Sequence, residues 1–380
     1  GRRDLGRALM LKSRVQPEDV VKAGRFDDLL ESNSAAYFVY LYDQVKAGNE
    51  LAKKWCPRFN TSNEKLAKQL AKRWHMTEKE YRKFIKCAST TEYKLSHNEL
   101  NRIKFEQVPS LAMIKYFKAF QRKMPEDFKK YIESVKKGET KLNVSTTNVY
   151  DIYKNRNTIE AQLFFDKLEK IKISCIPVLD TSGSMQDSND SIGKATSIAH
   201  YLSKCSSYCP NQVVTFSSHP QLITMGKDRK GFEEKSYWGN SRTFGAFKSN
   251  PNTSDYINEI NSLYTGDCSN TDFGKVMELL SNLDDELPQY LVVLSDMEFD
   301  CGSNRSKAET MKLFKSKGYD TRIIWWNFNS RNTTCPEMDK DGNIYISGYS
   351  PFLLKYLESG FDGNKFLNKL LEQYKKNIDN

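Results

Sequence analysis

Lys172-Ile-Ser-Cys-Ile-Pro-Val-Leu-Asp180-Thr-Ser-Gly-Ser-Met185 is the stretch that decides the fold. Ile173 to Leu179 is short, apolar and β-branched, which predicts a buried strand of a parallel sheet. The run stops at Asp180. Asp180, Ser182 and Ser184 then alternate through a tight turn that Gly183 allows to bend. A helix is expected from about Ser191 to Ser203. Open α/β sheets bind ligands beyond the carboxyl ends of their strands, so one carboxylate and two hydroxyls stand where such a fold places its site. All are hard oxygen donors, which suit Mg²⁺, Mn²⁺ or Ca²⁺ better than zinc.

Asp-x-Ser-x-Ser after a hydrophobic strand resembles the metal-ion-dependent adhesion site of von Willebrand factor A (vWA) domains. That family's pattern has two further pieces. Thr271 fits the first, in Gly266-Asp-Cys-Ser-Asn-Thr271-Asp272-Phe-Gly274. Asp296 fits the second, at the end of Tyr290-Leu-Val-Val-Leu-Ser-Asp296-Met-Glu-Phe-Asp300. The resemblance therefore implies metal ligation by Asp180, Ser182, Ser184, Thr271 and Asp296. Read alone, Asp180–Ser184 is an Asx or Ser turn capping the next helix; the other two pieces, in order, carry the stronger reading. A haloacid-dehalogenase-like phosphatase would place a second Asp where Ser182 stands. A nucleophile elbow needs Gly-x-Ser-x-Gly, which neither Ser182 nor Ser184 satisfies. With no general base in evidence beside these residues, the expectation is a protein that is not an enzyme.

The 380-residue chain is long enough for two cored domains. It contains no apolar run long enough to span a membrane, and its opening residues, Gly1-Arg-Arg-Asp-Leu5, lead to the expectation of no signal peptide. Eight scattered cysteines form no Cys-x-x-Cys, and the four histidines have no metal spacing. This usage predicts reduced thiols and a cytoplasmic location. The net charge of +10 is unevenly placed. Residues 1–170 carry 35 Lys and Arg against 22 Asp and Glu, whereas residues 171–380 carry 23 against 26. Residues 51–130 alone hold 20 bases and 8 acids, essentially the whole excess.

Two domains are expected, an all-helical one over 1–170 and an α/β one over 171–380. In the first, helices are predicted at Arg3–Lys12, Glu18–Lys22, Ala35–Lys46, Ser110–Lys123, from Pro125 to Gly138 and over Asn157–Ile171. Thr61 with Glu64, Thr77 with Glu80 and Ser96 with Glu99 match capping boxes, predicting helices over 62–75, 78–88 and 97–104. Successive short helices suggest an α-solenoid. Three helices gather bases on one face. Lys65, Lys68 and Lys72 stand opposite Leu66, Leu70 and Trp74. Lys79, Arg82, Lys83 and Lys86 stand opposite Tyr81, Phe84 and Ile85. Lys115, Lys118 and Arg122 stand opposite Ile114, Phe117 and Phe120. One such stripe is usually a solvated face; three in one block point to a polyanion-binding surface. Trp55, Trp74 and Tyr81 are candidates for base stacking or for core.

In the second domain, strands are predicted at 212–217, 220–225, 289–295, 321–327 and 343–347. Helices are predicted at 254–263, 272–283, 305–317, 351–358 and 363–377, with a polar insert over 226–252.

A basic helical domain followed by a vWA domain resembles the Ro autoantigen and its bacterial relatives, and more closely the plant and large-virus proteins of this layout. The phrases that carry the likeness include Val21-Lys-Ala-Gly-Arg-Phe-Asp-Asp-Leu-Leu30, Ala52-Lys-Lys-Trp-Cys-Pro57, Tyr81-Arg-Lys83, Val108-Pro-Ser-Leu-Ala112 and Ser347-Gly-Tyr-Ser-Pro351. The resemblance implies a HEAT-like (TROVE-like) helical domain, a Rossmann-like vWA domain and a ribonucleoprotein-type function with single-stranded or structured RNA as partner. It also implies an acidic protein partner completing the metal shell. The helical half is shorter than a full Ro-type ring needs. A protein-interaction scaffold without nucleic acid is the alternative.

Overall fold

A computed structural model describes residues 15–31, 34–144, 147–158, 160–217, 219–235, 241–267, 272–283, 287–297, 312, 314–316, 318–329, 337–349, 351–362 and 368. The expected helices at 3–12 and 363–377, and most of that at 305–317, lie outside the described residues. The chain forms two compact units. One holds the described residues to Val108 and Tyr116–Glu133; the other holds Pro109–Lys115 and Ser134–Phe366.

The first unit is helical. Its longer helices are Ala35–Lys46, Glu64–Arg73 and parts of Ser110–Lys123 and Pro125–Lys137, with short ones at Pro17–Ala23, Glu50–Trp55, Glu78–Phe84 and Thr91–Ser96. Pro125 opens its helix, and Gly138 follows the last turn at φ +79°, a conformation glycine adopts without a Cβ clash. Val20, Leu29, Leu41, Ala52, Ala67, Leu70 and Tyr81 meet in one core. Tyr42, Trp74 and Phe84 close it with rings 5.3–5.8 Å apart. Phe105, Phe117, Phe120 and Phe128 form a second aromatic group.

Only one of the three capping boxes forms. Thr77 accepts from the Glu80 N–H, and the Glu80 carboxylate accepts from the Thr77 N–H at 2.8 Å. Thr77→Ala removes this cap and should cost about 1 kcal/mol, read as a lowered melting midpoint by circular dichroism. Thr61 is spent on a turn: its hydroxyl donates to the Arg58 carbonyl and accepts from the Asn63 N–H. The helix expected over 97–104 is instead Thr91–Ser96, capped by Thr90, because Ser96 turns its hydroxyl back to the Tyr93 carbonyl. Leu66 is not inward. Ala67, Leu70 and Ala71 fill the buried face, and Leu66, one step around the helix, is exposed.

The second unit is built on a seven-stranded sheet. Its strands are β1 (Cys175–Asp180), β2 (Gln212–Phe216), β3 (Leu222–Thr224), β6 (Tyr290–Ser295), β7 (Arg322–Asn327), β8 (Glu337–Met338) and β9 (Ile344–Ser347). They lie in the order β3-β2-β1-β6-β7-β9-β8. β2, β1, β6, β7 and β9 run parallel; β3 and β8 are antiparallel edges. β1 and β6 are buried along their whole length, as helix-covered parallel strands are. The polar insert holds a hairpin of β4 (Phe232–Lys235) and β5 (Ser241–Phe244), whose Phe232 and Phe244 pair with rings 5.7 Å apart.

The seam at 170/171 is not where the compact units divide. The helix expected over 157–171 is shorter, Glu160–Asp166, and an unexpected helix, Val149–Lys154, precedes it; both belong to the sheet unit. Phe165 packs on His200 and Tyr201 of helix Ser191–Cys205, and the Tyr150 hydroxyl donates to Asp190 at 2.8 Å. Their aromatic faces find apolar cover on that helix.

Candidate functional site

From β1 the chain crosses to β2 on one side, while β6 pairs with β1 on the other. The carboxyl ends of β1 and β6 therefore flank a topological switch point, the crevice where open α/β sheets bind ligands. Asp180 ends β1, and Asp296 directly follows β6.

Asp180 is fully buried. One of its oxygens accepts from the Ser182 N–H at 2.9 Å, the other from the Ser295 hydroxyl at 2.6 Å. The hydroxyls of Ser182 and Ser184 lie 3.0 Å apart, and the short helical turn Gly183–Met185 leaves Ser184 exposed. Asp296 is nearly buried. Burial pushes the Asp180 carboxyl up to about 6; the bonds from Ser295 and Ser182 oppose this, and the neighbouring Asp296 charge adds to it. Met297 follows at φ +67°, a left-handed conformation that costs a non-glycine residue about 1–2 kcal/mol. Its N–H donates to the Ser295 hydroxyl at 2.9 Å. Strain of this kind gathers at functional sites.

Two carboxylates and two hydroxyls thus stand at the carboxyl ends of two central strands, a hard-oxygen set that fits Mg²⁺ or a similar cation. Thr271, the remaining expected ligand, lies outside the described residues. Among the described residues no three His, Cys, Asp or Glu side chains converge as a metal cluster. Other carboxylates close to these residues in sequence serve elsewhere. Asp187 accepts from the Ser191 N–H and hydroxyl, Asp190 from Tyr150, and Asp272 from the N–H groups of Gly274 and Lys275. These carboxylates cap helices or anchor a helix; Glu298 and Asp300 lie outside the described residues.

Ser295 and Asp267 are the residues the sequence reading missed. Buried Asp267 accepts from Ser217 at 2.7 Å, lies 3.5 Å from the His219 ring, and its carbonyl accepts from the Thr181 hydroxyl at 3.1 Å. Their roles come from long-range pairing, although Asp267 stands four residues before Thr271 in sequence and Ser295 directly precedes Asp296.

The second feature is the basic face. Lys65, Lys68, Lys72, Lys79, Arg82, Lys83, Lys86, Lys115, Lys118 and Arg122 are all exposed. Lys68 pairs with Glu64 at 2.7 Å and Arg82 with Glu78 at 2.6 Å. Nine of these bases belong to the helical unit and Lys115 to the other. Of the aromatics considered for stacking, Tyr81 is wholly buried, its hydroxyl donating to Pro57 at 2.9 Å, and Trp74 is locked among rings. Trp55 is half-buried.

Fold and site define a protein with a basic helical unit and a mostly parallel α/β unit bearing an oxygen-donor site at its switch point. Residues 48–174 match the family model described as Domain of unknown function (DUF2828), and residues 250–378 match Domain of unknown function (DUF7788). The chain is similar to uncharacterized protein L728 of Acanthamoeba polyphaga mimivirus, 24% identical over 376 residues. That match covers 87% of this chain and 61% of the relative, so the chain spans about three fifths of the viral protein's length. Among solved structures, the Deinococcus radiodurans RO (RSR) protein matches 90% of this chain and 82% of its own, with a TM-score of 0.45 and 10% identity. Among the described residues no helix is long and apolar enough to cross a membrane.

Proposed function

We propose that this chain is a non-catalytic, cytoplasmic RNA-binding protein of the ribonucleoprotein type. A HEAT-like helical domain would bind single-stranded or structured RNA, and a vWA-like domain would hold a divalent cation for a carboxylate-bearing protein partner. The observation that carries the reading is the exposure of all ten bases in a block with few acids. Lys and Arg presented this way neutralise phosphates and release counterions. Asp180, Ser182, Ser184, Thr271 and Asp296 would hold the cation, Mg²⁺ in first place. The ion would supply a Lewis-acid position open to an outside carboxylate.

The two surfaces act separately in this reading. The Asp180–Asp296 pair repels a phosphate strand, and a single divalent ion offsets only two charges. RNA therefore belongs on the helices. Filter binding of a single-stranded RNA to the full chain should give a log–log salt slope of roughly −0.7 per phosphate contacted, unchanged by EDTA. A flat salt response would refute RNA binding. Loss of RNA binding on adding EDTA to the folded protein would show the two sites to be coupled. A carboxylate-bearing protein that binds only with Mg²⁺, together with no RNA affinity, would favour the scaffold reading.

A further inference from the structure

The helical unit contains a cavity of about 450 Å³, within the range of roughly 300–1,000 Å³ usual for small-ligand sites. We propose that it takes one unstacked nucleobase, guanine in first place, from the strand whose phosphates lie along Lys65, Lys68 and Lys72. The inference rests on the RNA-binding reading above and adds to it a base-selective subsite.

Four observations converge. Trp55 lines the cavity; it packs partly against the core, but it is half-buried and stands outside the ring cluster that holds Trp74 and Tyr81. Its indole is held by the Arg25 guanidinium 4.5 Å from the ring centre and the Lys54 ammonium at 5.5 Å. The indole together with the planar guanidinium lying over it offers aromatic and cationic surface on which an unstacked base can stack. Secondly, Asp27 and Glu31 line the same cavity. Lys54 and Arg58 on the same lining offset their charge, so the cavity carries no net positive field for a phosphate and suits an uncharged group with hydrogen-bond donors. The Watson–Crick edge of guanine offers adjacent N–H donors to a carboxylate, whereas adenine places an acceptor there. Thirdly, Arg58, an exposed base, also lines the cavity, where it can receive the flanking phosphate. Lastly, Leu66 is 37% exposed and has no place in the core, yet it is a wall of the cavity. It sits on helix Glu64–Arg73 with Lys65, Lys68 and Lys72, so the pocket and the basic stripe share one element.

The test uses the full chain and three labelled oligouridine decamers read by fluorescence anisotropy, with a central guanosine, a central adenosine or a central abasic residue. The guanosine decamer should bind about tenfold more tightly than the abasic one, with adenosine, which can stack but turns an acceptor to the carboxylate, between the two. Glu31→Gln, at an exposed position, should erase the preference for guanosine over adenosine. Trp55→Phe should keep base dependence and Trp55→Ala lose it, with melting curves showing both variants folded. Lys65→Glu should weaken all three decamers alike. Equal, tight binding of the three decamers would overturn the pocket while leaving RNA binding intact; binding of none would remove both. A guanosine preference that survives in folded Glu31→Gln would refute the carboxylate contact. Trp55 fluorescence that answers a cationic peptide and not the guanosine decamer would assign the cavity to protein recognition.

Discussion

Asp180→Asn should stabilise the cation-free protein at pH 8 while abolishing its response to Mg²⁺. The Asp180 carboxyl is fully buried and titrates at about 6, against about 3.9 in an unfolded chain. A folded-state value raised in this way means that the folded protein holds the proton more tightly. The contribution to stability is fully present below about pH 4, falls as the pH rises through about 6, and is gone above it. About two pKa units correspond to roughly 3 kcal/mol as an upper limit. Asparagine keeps an acceptor for the Ser182 N–H and replaces the buried charge with an amide, so that pH dependence between 4 and 6 should disappear. In the wild type, Mg²⁺ should restore stability above pH 6, a cation taking the place of the proton, and its affinity should fall as the pH drops below that value. Melts of both proteins at pH 5 and 8, with and without Mg²⁺, measure this. A variant less stable than wild type at pH 8 without metal would show that the Ser295 bond outweighs the cost of burying the charge. Mg²⁺ affinity left unchanged by calorimetry would remove Asp180 from the site.

Replacing Lys65, Lys68 and Lys72 with glutamate should produce the largest loss of RNA affinity, about a hundredfold at low salt, and reduce the salt slope by about 2. The three side chains are exposed, and the buried residues of their helix, Ala67, Leu70 and Ala71, are untouched. The change is not free for the fold. Lys68 exchanges an ion pair with Glu64 for a like-charge contact, and Lys72 leaves the last turn, where cations favour the helix dipole. Together these cost on the order of 1 kcal/mol. The matching Lys→Gln variant separates the two effects, since it loses the phosphate contacts without adding repulsion. If both variants bind RNA with the wild-type slope, the stripe is only a solvated face.

What could be read from the sequence was what short-range pattern decides. The apolar runs ending at Asp180 and Asp296 announced two buried parallel strands, and both carboxylates stand at their carboxyl ends. Pro125 and Gly138 bounded their helix because both act on their own backbone. Capping boxes were less secure, since the same hydroxyl can serve a turn, as Thr61 does, or bond back into the preceding helix, as Ser96 does. Leu66 misled because its apolar character fits a core, while the buried face of its helix is filled by two alanines and Leu70. Ser295 and Asp267 could not be read at all. Each acquires its role from a partner 115 or 50 residues away, and no local spacing encodes such pairings.

Chain order also governs how the protein is made. Asn148 accepts from the Tyr349 hydroxyl across 201 residues, and that hydroxyl in turn accepts from the Tyr150 N–H across 199. At about 5–20 residues per second, a ribosome needs roughly 10–40 s to bring Tyr349 out after Asn148. Throughout that interval Asn148 can cap helix Val149–Lys154 through the Asp151 N–H, but the Tyr349 hydroxyl that completes the network has not left the tunnel. The bonds that tie Asn148 and Tyr150 to Tyr349 can therefore form only after β9 has been made, late in synthesis.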